Sequence, residues 1–335
     1  MSLRLEVFED TACFRYPPEH EACVQEFDRL LDQHEAGRAG ERSYLDALQD
    51  IAERYPWFID AHAHIGNALL KKGRTRRALD AYREGVAQGE TAISAGYTGL
   101  VEWSHLDNRP FFRAAHGAVL CHLHLRQWSK AIDLMNAMLA WNPRDNQGMR
   151  HLLGSALLRA GRLDEARAPL IEFQGGDPSM NYELALLRLL EGDYRTASTS
   201  LRQGFVENRY IAEMICGMPD PLPIAMWHGS SLAKPDFARD YIRLFGTLWN
   251  KTHGAVAFVR WLSTHPEVMA ERATILACDA ELLWEHDFER RRSIGDRRDA
   301  LALAVDQRLS DRIIAQRSDR NGNTVWPWLH AASCR

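Results

Sequence analysis

A repeated spacing of glycine and alanine constrains the fold of this chain more than any other feature of its sequence. Within residues 64–86 and 152–173, two glycines stand 7 residues apart, and an alanine follows 5 residues after the second glycine. Internal similarity at a fixed spacing predicts a stack of like structural units, each packed against its neighbours. The matched residues are Gly66, Gly73 and Ala78 in one segment and Gly154, Gly161 and Ala166 in the other.

Two further segments carry partial copies of this pattern. Residues 184–205 retain Gly192 and Ala197, whereas residues 118–139 retain Ala131 and have Arg126 in place of the second glycine. The alanines of successive copies stand 53, 35 and 31 residues apart, so the first interval predicts an insertion of about 19 residues. An incomplete copy at residues 43–56 predicts only a second helix and the proline that ends it.

The residue types in each copy predict two helices in close contact. A glycine within a helix costs roughly 1 kcal/mol relative to alanine, so Gly66 and Gly154 predict a near approach by the paired helix. We expect an alanine on that paired helix to face the glycine, and a large residue four positions later to fill the seam. The predicted pairs are Ala78 and Tyr82, Ala131 and Met135, Ala166 and Leu170, and Ala197 and Leu201.

Glycines and prolines mark the predicted ends of these helices. Glycine adopts positive φ without a Cβ clash, so a glycine between the two helices of a copy predicts a tight turn. Proline has no amide hydrogen to donate, so a proline after the second helix predicts its end. The turn glycines are Gly73, Gly161 and Gly192, and the prolines are Pro56, Pro143 and Pro178.

The pattern resembles the tetratricopeptide repeat, a helix–turn–helix unit of about 34 residues. The order of later segments is also similar to that of poorly characterised bacterial repeat proteins and of the suppressor-of-tumorigenicity-seven family. The resemblance spans about residues 42–262. It implies an all-α solenoid of helical hairpins and implies no catalytic residues. The segments that carry it are NPRDNQGMR (142–150), LRQGFVENRYIAEMICG (201–217) and KPDFARDYIRLFGTLWNKTHGAVAFVRWL (234–262).

We expect four regions along the chain. The last of them should cover the final apolar face of the array, because exposed ends of a solenoid need a cap. The regions are an acidic N-terminal segment (1–40), tetratricopeptide-like repeats (41–210) with an insertion near 91–110, a proline-rich break (211–234) and a C-terminal helical region (235–335).

Charge is distributed unevenly between the N-terminal segment and the rest of the chain. Residues 1–60 hold 14 acidic and 6 basic side chains, whereas the whole chain has a net charge of −4. The acidic segment could be a solvated surface, or it could lie in a basic groove of the repeats. The overall charge argues against a protein built mainly to grip a phosphate backbone.

The sequence also indicates a compartment. The N-terminus, MSLRLEVFEDTACF, lacks the basic start and apolar run of a signal peptide. No stretch approaches the roughly 18 apolar residues needed to cross a bilayer. The 6 cysteines, which include Cys334, form no CxxC pair, and this predicts free thiols. We therefore expect a cytoplasmic protein that has no cofactor and makes no membrane contact.

The resemblance predicts a partner-binding groove, because the first helix of each tetratricopeptide hairpin lines a concave surface. Asn67 matches an asparagine that carboxylate-clamp members use against a peptide C-terminus, although the other clamp positions do not match. Lys71, Arg113 and Arg159 are cations of the groove, and Asp60 is its one carboxylate. This charge balance favours an acidic or C-terminal peptide as the ligand. The groove histidines would add positive charge below pH about 6.5. The groove residues are Asp60, Asn67, Lys71, Arg113, His116, His124, His151, Ser155, Arg159 and Tyr182. The prediction is a protein-interaction scaffold rather than an enzyme.

A polar segment before residue 150 allows two interpretations. Asp145 or Asn146 could cap the next helix by accepting an unpaired amide hydrogen. Arg150 follows one turn later and could pair with Asp145, or it could point into the groove. The pair Asp107–Asn108 stands in the same relation to the helix that contains Arg113.

Two alternative functions remain. A metal-dependent enzyme could use histidines of the first helices, where His116, Cys121, His122 and His124 form the densest group. Zinc needs three or four converging ligands, and only Cys121 and His124 stand at a helical spacing that allows convergence. The arginine-rich segment 289–299 could bind nucleic acid or a regulator, or it could form a mixed-charge surface. The chain contains no nucleophile elbow, phosphate loop or dinucleotide-binding motif.

Overall fold

The computed structural model describes residues 2–175, 177–319 and 321–332, so Cys334 lies outside the described residues. The secondary structure is almost entirely helical, apart from two short antiparallel strand pairs. Ile59–Lys71 packs on Thr75–Ala92, Arg109–His124 on Trp128–Trp141, and Pro178–Leu190 on Tyr194–Glu207, each pair as a helical hairpin. The predicted all-α fold built from helical hairpins is thereby confirmed.

Two compact units divide the chain, Met1–Ala160 and Gly161–Arg335. The division falls inside the predicted repeat region 41–210, and each unit is described by itself. The elements described in the first unit are β1 (Arg4–Phe8), β2 (Thr11–Arg15), α1 (His20–Glu35), α2 (Glu41–Arg54), α3 (Ile59–Lys71), α4 (Thr75–Ala92), a 3-10 turn (Leu106–Asn108), α5 (Arg109–His124), α6 (Trp128–Trp141) and α7 (Met149–Arg159).

The second unit contains shorter helices and a second strand pair. Its elements are α8 (Leu163–Glu172), α9 (Pro178–Leu190), α10 (Tyr194–Glu207), α11 (Arg209–Ile215), a 3-10 turn (Ser231–Ala233), α12 (Pro235–Phe245), α13 (Thr247–Lys251), α14 (Ala255–Ser263), α15 (Pro266–Trp284), α16 (Phe288–Leu303), α17 (Gln307–Ile313), β3 (Arg317–Ser318), β4 (Thr324–Val325) and α18 (Pro327–Ala332).

The turns between paired helices have the left-handed backbone that the glycines predict. Gly73, Gly161 and Gly192 adopt φ angles of 69°, 76° and 79°. Arg126, which replaces the glycine in its copy, adopts φ of 58°. A side chain with a Cβ is strained in this region, so the turn imposes its geometry on arginine.

The predicted seam residues are buried, but Tyr82 rather than the expected Ala78 faces Gly66. The four alanines, Ala78, Ala131, Ala166 and Ala197, are wholly buried, and so are Met135, Leu170 and Leu201. Tyr82 is also buried, and its ring lies against the backbone of Gly66 on α3. A Cβ on Gly66 would come within 2.7 Å of that ring, and a Cβ on Gly117 of α5 would also collide with it. Two glycines therefore enclose one tyrosine between three helices.

Proline positions agree with the predicted helix ends in two copies and differ in the third. Pro56 follows the end of α2, and Pro143 follows the end of α6. Pro178 was predicted to end a helix, and this prediction is wrong, because Pro178 is the first residue of α9. Asp177 caps that helix by accepting a hydrogen bond from the Ser179 amide at 2.7 Å. Proline suits the first turn of a helix, where an amide donor would have no partner.

The acidic N-terminal segment 1–40 is part of the first unit. Its strands β1 and β2 form an antiparallel hairpin, and α1 packs on α2. Leu3, Phe14 and Phe27 are buried. The incomplete copy at 43–56 therefore has a first helix, α1, which the glycine and alanine pattern does not reveal.

Asn108 joins the insertion to the N-terminal hairpin. Its wholly buried side chain accepts a hydrogen bond from the Phe14 amide at 3.0 Å and donates to the carbonyls of Ala12 and Glu102, each at 2.9 Å. Leu100 of the insertion also pairs with β2 through backbone hydrogen bonds. The expectation that Asn108 caps the next helix is wrong, because its side chain makes no cap bond to α5.

Helices of the C-terminal region cover α10, the second helix of the last repeat copy. α14, α15 and α17 all contact α10. Arg202 of α10 is buried there, where it pairs with Glu271 and donates to the Asp306 carbonyl at 2.7 Å and the Ser310 hydroxyl at 2.9 Å. The predicted capping role of the C-terminal helices is confirmed within the second unit.

Two tryptophans near the C-terminus fold back onto the second unit. Trp326 and Trp328 stack at a centroid distance of 4.9 Å, and the Trp328 ring meets Phe258 of α14 edge-on at 4.7 Å. Trp328 is wholly buried. The segment that holds it is helical rather than a loop, because α18 spans Pro327–Ala332.

No helix within the described ranges combines the length and the apolar character that crossing a membrane requires. The cysteines described by the structure are free thiols, and Cys216 alone among them is not fully buried.

Replacing Gly66 by alanine should lower the free energy of unfolding by about 1–2 kcal/mol, because overpacking against the Tyr82 ring exceeds the gain in helix propensity. Gly295 in α16 is the matched control, since a Cβ there would meet nothing within 4 Å. Gly295→Ala should raise stability by roughly 0.5–1 kcal/mol. Urea unfolding of both variants measures the two changes in the free energy of unfolding. A gain in both variants, or a loss in both, would contradict the close contact at Gly66.

Replacing Arg126 by glycine should raise the free energy of unfolding by about 1 kcal/mol, because glycine adopts positive φ without strain. Arg126→Ala is the control, since it removes the arginine side chain and keeps the Cβ. Thermal or urea unfolding of the two variants distinguishes backbone strain from loss of the side chain. A gain of the same size in Arg126→Ala would argue against strain at this turn.

Candidate partner-binding site

The exposed face of α3 carries a row of polar side chains. Asp60, His64, Asn67 and Lys71 recur at intervals of three or four residues, so they lie along one face of the helix. Asn67 and Lys71 are exposed, whereas Asp60 and His64 are partly buried. The opposite face of α3 holds the buried Ile65 and Leu69 in the core.

Asn67 and Lys71 open into a cleft formed by α1, α2 and α3, which we call the α3 cleft. Its volume is about 430 Å³. The acidic N-terminal segment supplies one wall through α1, so it is not a detachable tail in this unit. The lining residues are Leu31, His34, Glu35, Glu41, Tyr44, His64, Asn67, Ala68, Lys71 and Lys72.

Aromatic rings form the inner wall of the α3 cleft. The rings of His34 and Tyr44 stack at a centroid distance of 4.0 Å with 5° between their planes. The Tyr44 hydroxyl lies 3.0 Å from Nδ1 of His64, and the His64 ring meets Phe27 edge-on at 4.9 Å. Burial lowers the pKa of His64 and raises the pKa of Tyr44, so both side chains stay neutral near neutral pH. The wall is flat and held in place by these contacts.

Two lysines and two glutamates line the α3 cleft. Lys72 forms an ion pair with Glu41 at 3.1 Å. Lys71 makes no ion pair with any residue that the structure describes, and its side chain is exposed. A ligand that enters the cleft therefore meets the Lys71 ammonium beside the amide of Asn67, with the exposed Glu35 carboxylate in the same lining.

Asp60 and Arg113, both predicted groove residues, lie together and neutralise each other. The Nη2 atom of Arg113 is 2.6 Å from each carboxylate oxygen of Asp60, and Nε is 2.8 Å from Oδ1. This contact joins α3 to α5. The interpretation that Arg113 pairs with Asp107 is wrong, because the carboxylate of Asp107 lies 3.7 Å from Arg15 instead.

The predicted groove histidines of α5 are partly buried. Burial lowers the pKa of His116, although nearby Asp145 partly opposes that change. Protonation of His116 is therefore expected at a lower pH than that of an exposed histidine, because a buried ring resists protonation. His124 is half-buried near the end of α5.

Two of the remaining predicted groove residues are buried and cannot contact a ligand. Ser155 is wholly buried in α7, between the half-buried His151 and Arg159, and its carbonyl accepts a hydrogen bond from Arg159 at 3.1 Å. Tyr182 is wholly buried in the second unit, where its hydroxyl donates to the Asn208 carbonyl at 2.6 Å. The assignment of Ser155 and Tyr182 to the groove is wrong because both pack in a core.

Asp145 and Arg150 begin a helix and form no reactive site. The Asp145 carboxylate accepts hydrogen bonds from the amides of Met149 at 2.8 Å and Arg150 at 2.9 Å, so it caps α7. Arg150 Nε also pairs with that carboxylate at 2.9 Å. Asn146 is exposed, and its side-chain oxygen accepts a hydrogen bond from Asn142 at 3.3 Å. Of the two interpretations of this segment, helix capping is the correct one.

The α3 cleft contains residues that the predicted groove omits. A signal was present for His64, which stands four residues after Asp60 and three before Asn67 on the same face. His34 and Tyr44 carried no such signal, because their place in the cleft depends on the packing of α1 against α2. The repeat pattern does not include α1.

The two alternative sites are the histidine group of α5 and the arginine-rich segment 289–299, and their side chains make different contacts. His122 Nδ1 lies 2.7 Å from the Gln127 side-chain oxygen, and Cys121 is wholly buried. No group of three or more potential metal ligands comes together within residues 2–175, 177–319 and 321–332.

The arginine-rich segment 289–299 lies within α16 and faces carboxylates of α15. Arg297 pairs with Glu281 at 2.8 Å, and Arg298 pairs with the buried Asp279 at 2.6 Å. These ion pairs are typical of a mixed-charge surface rather than of a phosphate-binding face.

No protein family matches the sequence, and no curated protein matches it either. Among solved structures, the chain is similar to the one described as "MamA RS-1 ArsTM double mutant", at 15% sequence identity. The similarity covers 56% of this chain and 93% of that chain, with a TM-score of 0.42. A likeness at this level supports no statement about activity or partner.

The first unit should lose stability as the pH falls. Burial lowers the pKa of His64, His116 and His122, whereas the unfolded chain binds protons at the ordinary histidine pKa. Stability is then fully present above pH about 6.5 and decreases below it, because the unfolded state takes up more protons. Urea unfolding between about pH 7.5 and about pH 5.5 measures this slope.

His64→Gln should make that slope shallower, since it removes one group that protonates only on unfolding. His286→Gln is the matched control, because the His286 ring is exposed in the folded chain. A slope that is unchanged in His64→Gln would show that burial of His64 does not contribute to acid sensitivity.

Proposed function

We propose that this chain is a tetratricopeptide-type scaffold that binds a peptide or partner protein, with the α3 cleft as its contact site. The observation that carries the proposal is the exposure of Asn67 and Lys71 in a cleft with a fixed aromatic wall. A site that is already ordered needs little reorganisation when a ligand binds. The kinship with bacterial repeat proteins and with the suppressor-of-tumorigenicity-seven family is part of this proposal.

The chemistry of the α3 cleft fits a peptide with a single carboxylate near its point of entry. The Asn67 amide can donate to and accept from a peptide backbone, and the Lys71 ammonium can pair with a carboxylate. Arg113 is already neutralised by Asp60, so the cleft does not have the three cations that a strongly acidic segment would need. We therefore narrow the partner from an acidic peptide to a C-terminal or singly acidic one.

The stacked rings of His34 and Tyr44 offer the ligand a flat apolar surface. Such a surface buries an apolar or aromatic side chain of a peptide without fixing its sequence. The proposal assigns no catalytic residue and no cofactor to the chain. A reducing cytoplasm remains our prediction for its location.

Lys71→Glu should weaken peptide binding by at least about tenfold, because it replaces the cation of the cleft with a like charge. The probes are peptides with free C-termini, selected on the wild-type chain from a random library, and fluorescence anisotropy measures their affinity. Asn67→Ala should weaken binding of the same peptides by a smaller factor, because it removes hydrogen bonds and changes no charge.

Lys130→Glu is the matched control. Lys130 is exposed on α6 and does not line the α3 cleft, so this variant should bind the selected peptides as the wild type does. Each variant should unfold at the wild-type temperature, because both lysines are exposed. Equal affinity of Lys71→Glu and Lys130→Glu for the peptides would contradict the assignment of the site.

A further inference from the structure

A second cavity, in the second unit, is lined by three arginines from three different helices. Arg209 begins α11, Arg260 lies in α14 and Arg272 lies in α15. The volume of this cavity is about 580 Å³, and we call it the arginine pocket. Ala212, Met218 and Pro219 supply an apolar wall beside the arginines. Neither the scaffold role nor the capping role of these helices requires such a cluster of like charges.

The arginine pocket has more positive than negative charge. Glu213 is the acidic member of its lining, and it pairs with Arg209 at 2.9 Å. Arg260 donates to the Cys216 carbonyl at 2.9 Å, and Arg272 makes a long contact of 3.4 Å with the Ser263 carbonyl. A carbonyl at the end of a helix has a partial negative charge and cannot balance a guanidinium. Two positive charges therefore remain uncompensated in the lining.

Arg272 is the most constrained of the three arginines. It is half-buried, and its guanidinium lies over the Phe205 ring at 5.1 Å from the centroid. Burial lowers the pKa of Arg272 and the nearby charge of Arg209 lowers it further, whereas the charge of Glu213 partly opposes this change. No carboxylate of the described residues forms an ion pair with Arg272. A cation that has lost water and has no counterion costs free energy, which an anion in the pocket would recover.

Carboxylates on the other side of Arg272 already have partners. A neighbouring cavity shares Arg209 and Arg272 and is also lined by Glu207 and Asp279. Asp279 pairs with Arg298 at 2.6 Å, and Glu207 accepts a hydrogen bond from Asn181 at 2.8 Å. Burial also raises the pKa of Glu207, which makes it a weaker source of negative charge. The second unit therefore does not neutralise Arg272 from within.

We propose that the arginine pocket binds an organic carboxylate, with the acid group at Arg260 and Arg272 and an apolar body against Ala212, Met218 and Pro219. A guanidinium presents parallel donors that match the two oxygens of a carboxylate. Free organic acids and the C-terminal carboxylate of a peptide share this chemistry. The site lies in the second unit and is independent of the α3 cleft.

Isothermal titration of the full chain tests this site with two acids, hexanoate and N-acetyl-leucine. Hexanamide and N-acetyl-leucinamide are the comparators, because each keeps the apolar body and lacks the charge. We expect saturable binding of at least one acid, and binding of its amide that is weaker by at least about tenfold. Preference for hexanoate indicates a free acid as the natural ligand, and preference for N-acetyl-leucine indicates a peptide terminus.

Arg272→Gln should weaken binding of the preferred acid by at least about tenfold, whereas Arg243→Gln should leave it unchanged. Arg243 is the matched control, because it pairs with Asp240 on the exposed surface of α12, outside the pocket. Arg260→Gln provides a second test from another helix if Arg272→Gln unfolds. The acid should also raise the unfolding temperature of the wild type and not that of Arg272→Gln.

The proposal is overturned if neither acid binds saturably, if the amides bind as tightly as the acids, or if the Arg272→Gln and Arg260→Gln variants bind like the wild type. The Lys71→Glu variant tests whether the two sites are independent. It should bind the acids as the wild type does, because Lys71 lies in the α3 cleft and not in the arginine pocket. Loss of acid binding in Lys71→Glu would place the acid in the α3 cleft and would also overturn the arginine pocket.

Discussion

Packing of the Tyr82 ring against glycines of two neighbouring helices is the contact on which the first unit depends. Tyr82 on α4 lies against Gly66 on α3, and Gly117 on α5 encloses the same ring. Each glycine costs helix propensity, and the burial of a large aromatic side chain offsets that cost. One ring thereby joins α3, α4 and α5, and Gly85 and Gly89 of α4 make further close contacts with Ala114 and Phe111 of α5. This packing determines which face of α3 is buried against α4 and α5 and which face stays exposed.

The α3 cleft arises where the repeat meets a helix that is not part of the recognisable pattern. α3 directs its apolar face into the core, so its polar face is directed away from α4. α1 and α2 then enclose part of that face, and the contacts among His34, Tyr44 and His64 hold the wall in place. α3, the first helix of a repeat copy, thereby forms one side of the α3 cleft.

Charged side chains in this chain fall into two groups. Some are neutralised within their unit, as Asp60 is by Arg113, Asp145 by Arg150 and Glu271 by Arg202. These pairs join neighbouring elements and leave little net charge at the surface. Lys71 and Arg272 differ, because each faces a cavity without an opposite charge at ion-pair distance among the described residues. Uncompensated charge beside a cavity is the feature that distinguishes a candidate site from a structural ion pair.

The sequence by itself determined the helical copies, their turns and their seams, because these depend on residues near each other in the chain. Gly73, Gly161 and Gly192 adopt the predicted backbone, and Ala78 is buried as its position in the copy requires. The face that holds Asn67 and Lys71 was predictable for the same reason, since helical periodicity alone places them together.

Only the tertiary structure decided which polar residues are free to bind. Asn108 joins segments almost one hundred positions apart, Arg113 pairs with an aspartate one repeat away, and Ser155 is buried by neighbouring helices. The role of each polar group depends on which partner or solvent it meets after folding. A spacing rule specifies the face on which a side chain lies, and long-range packing determines what that face contacts.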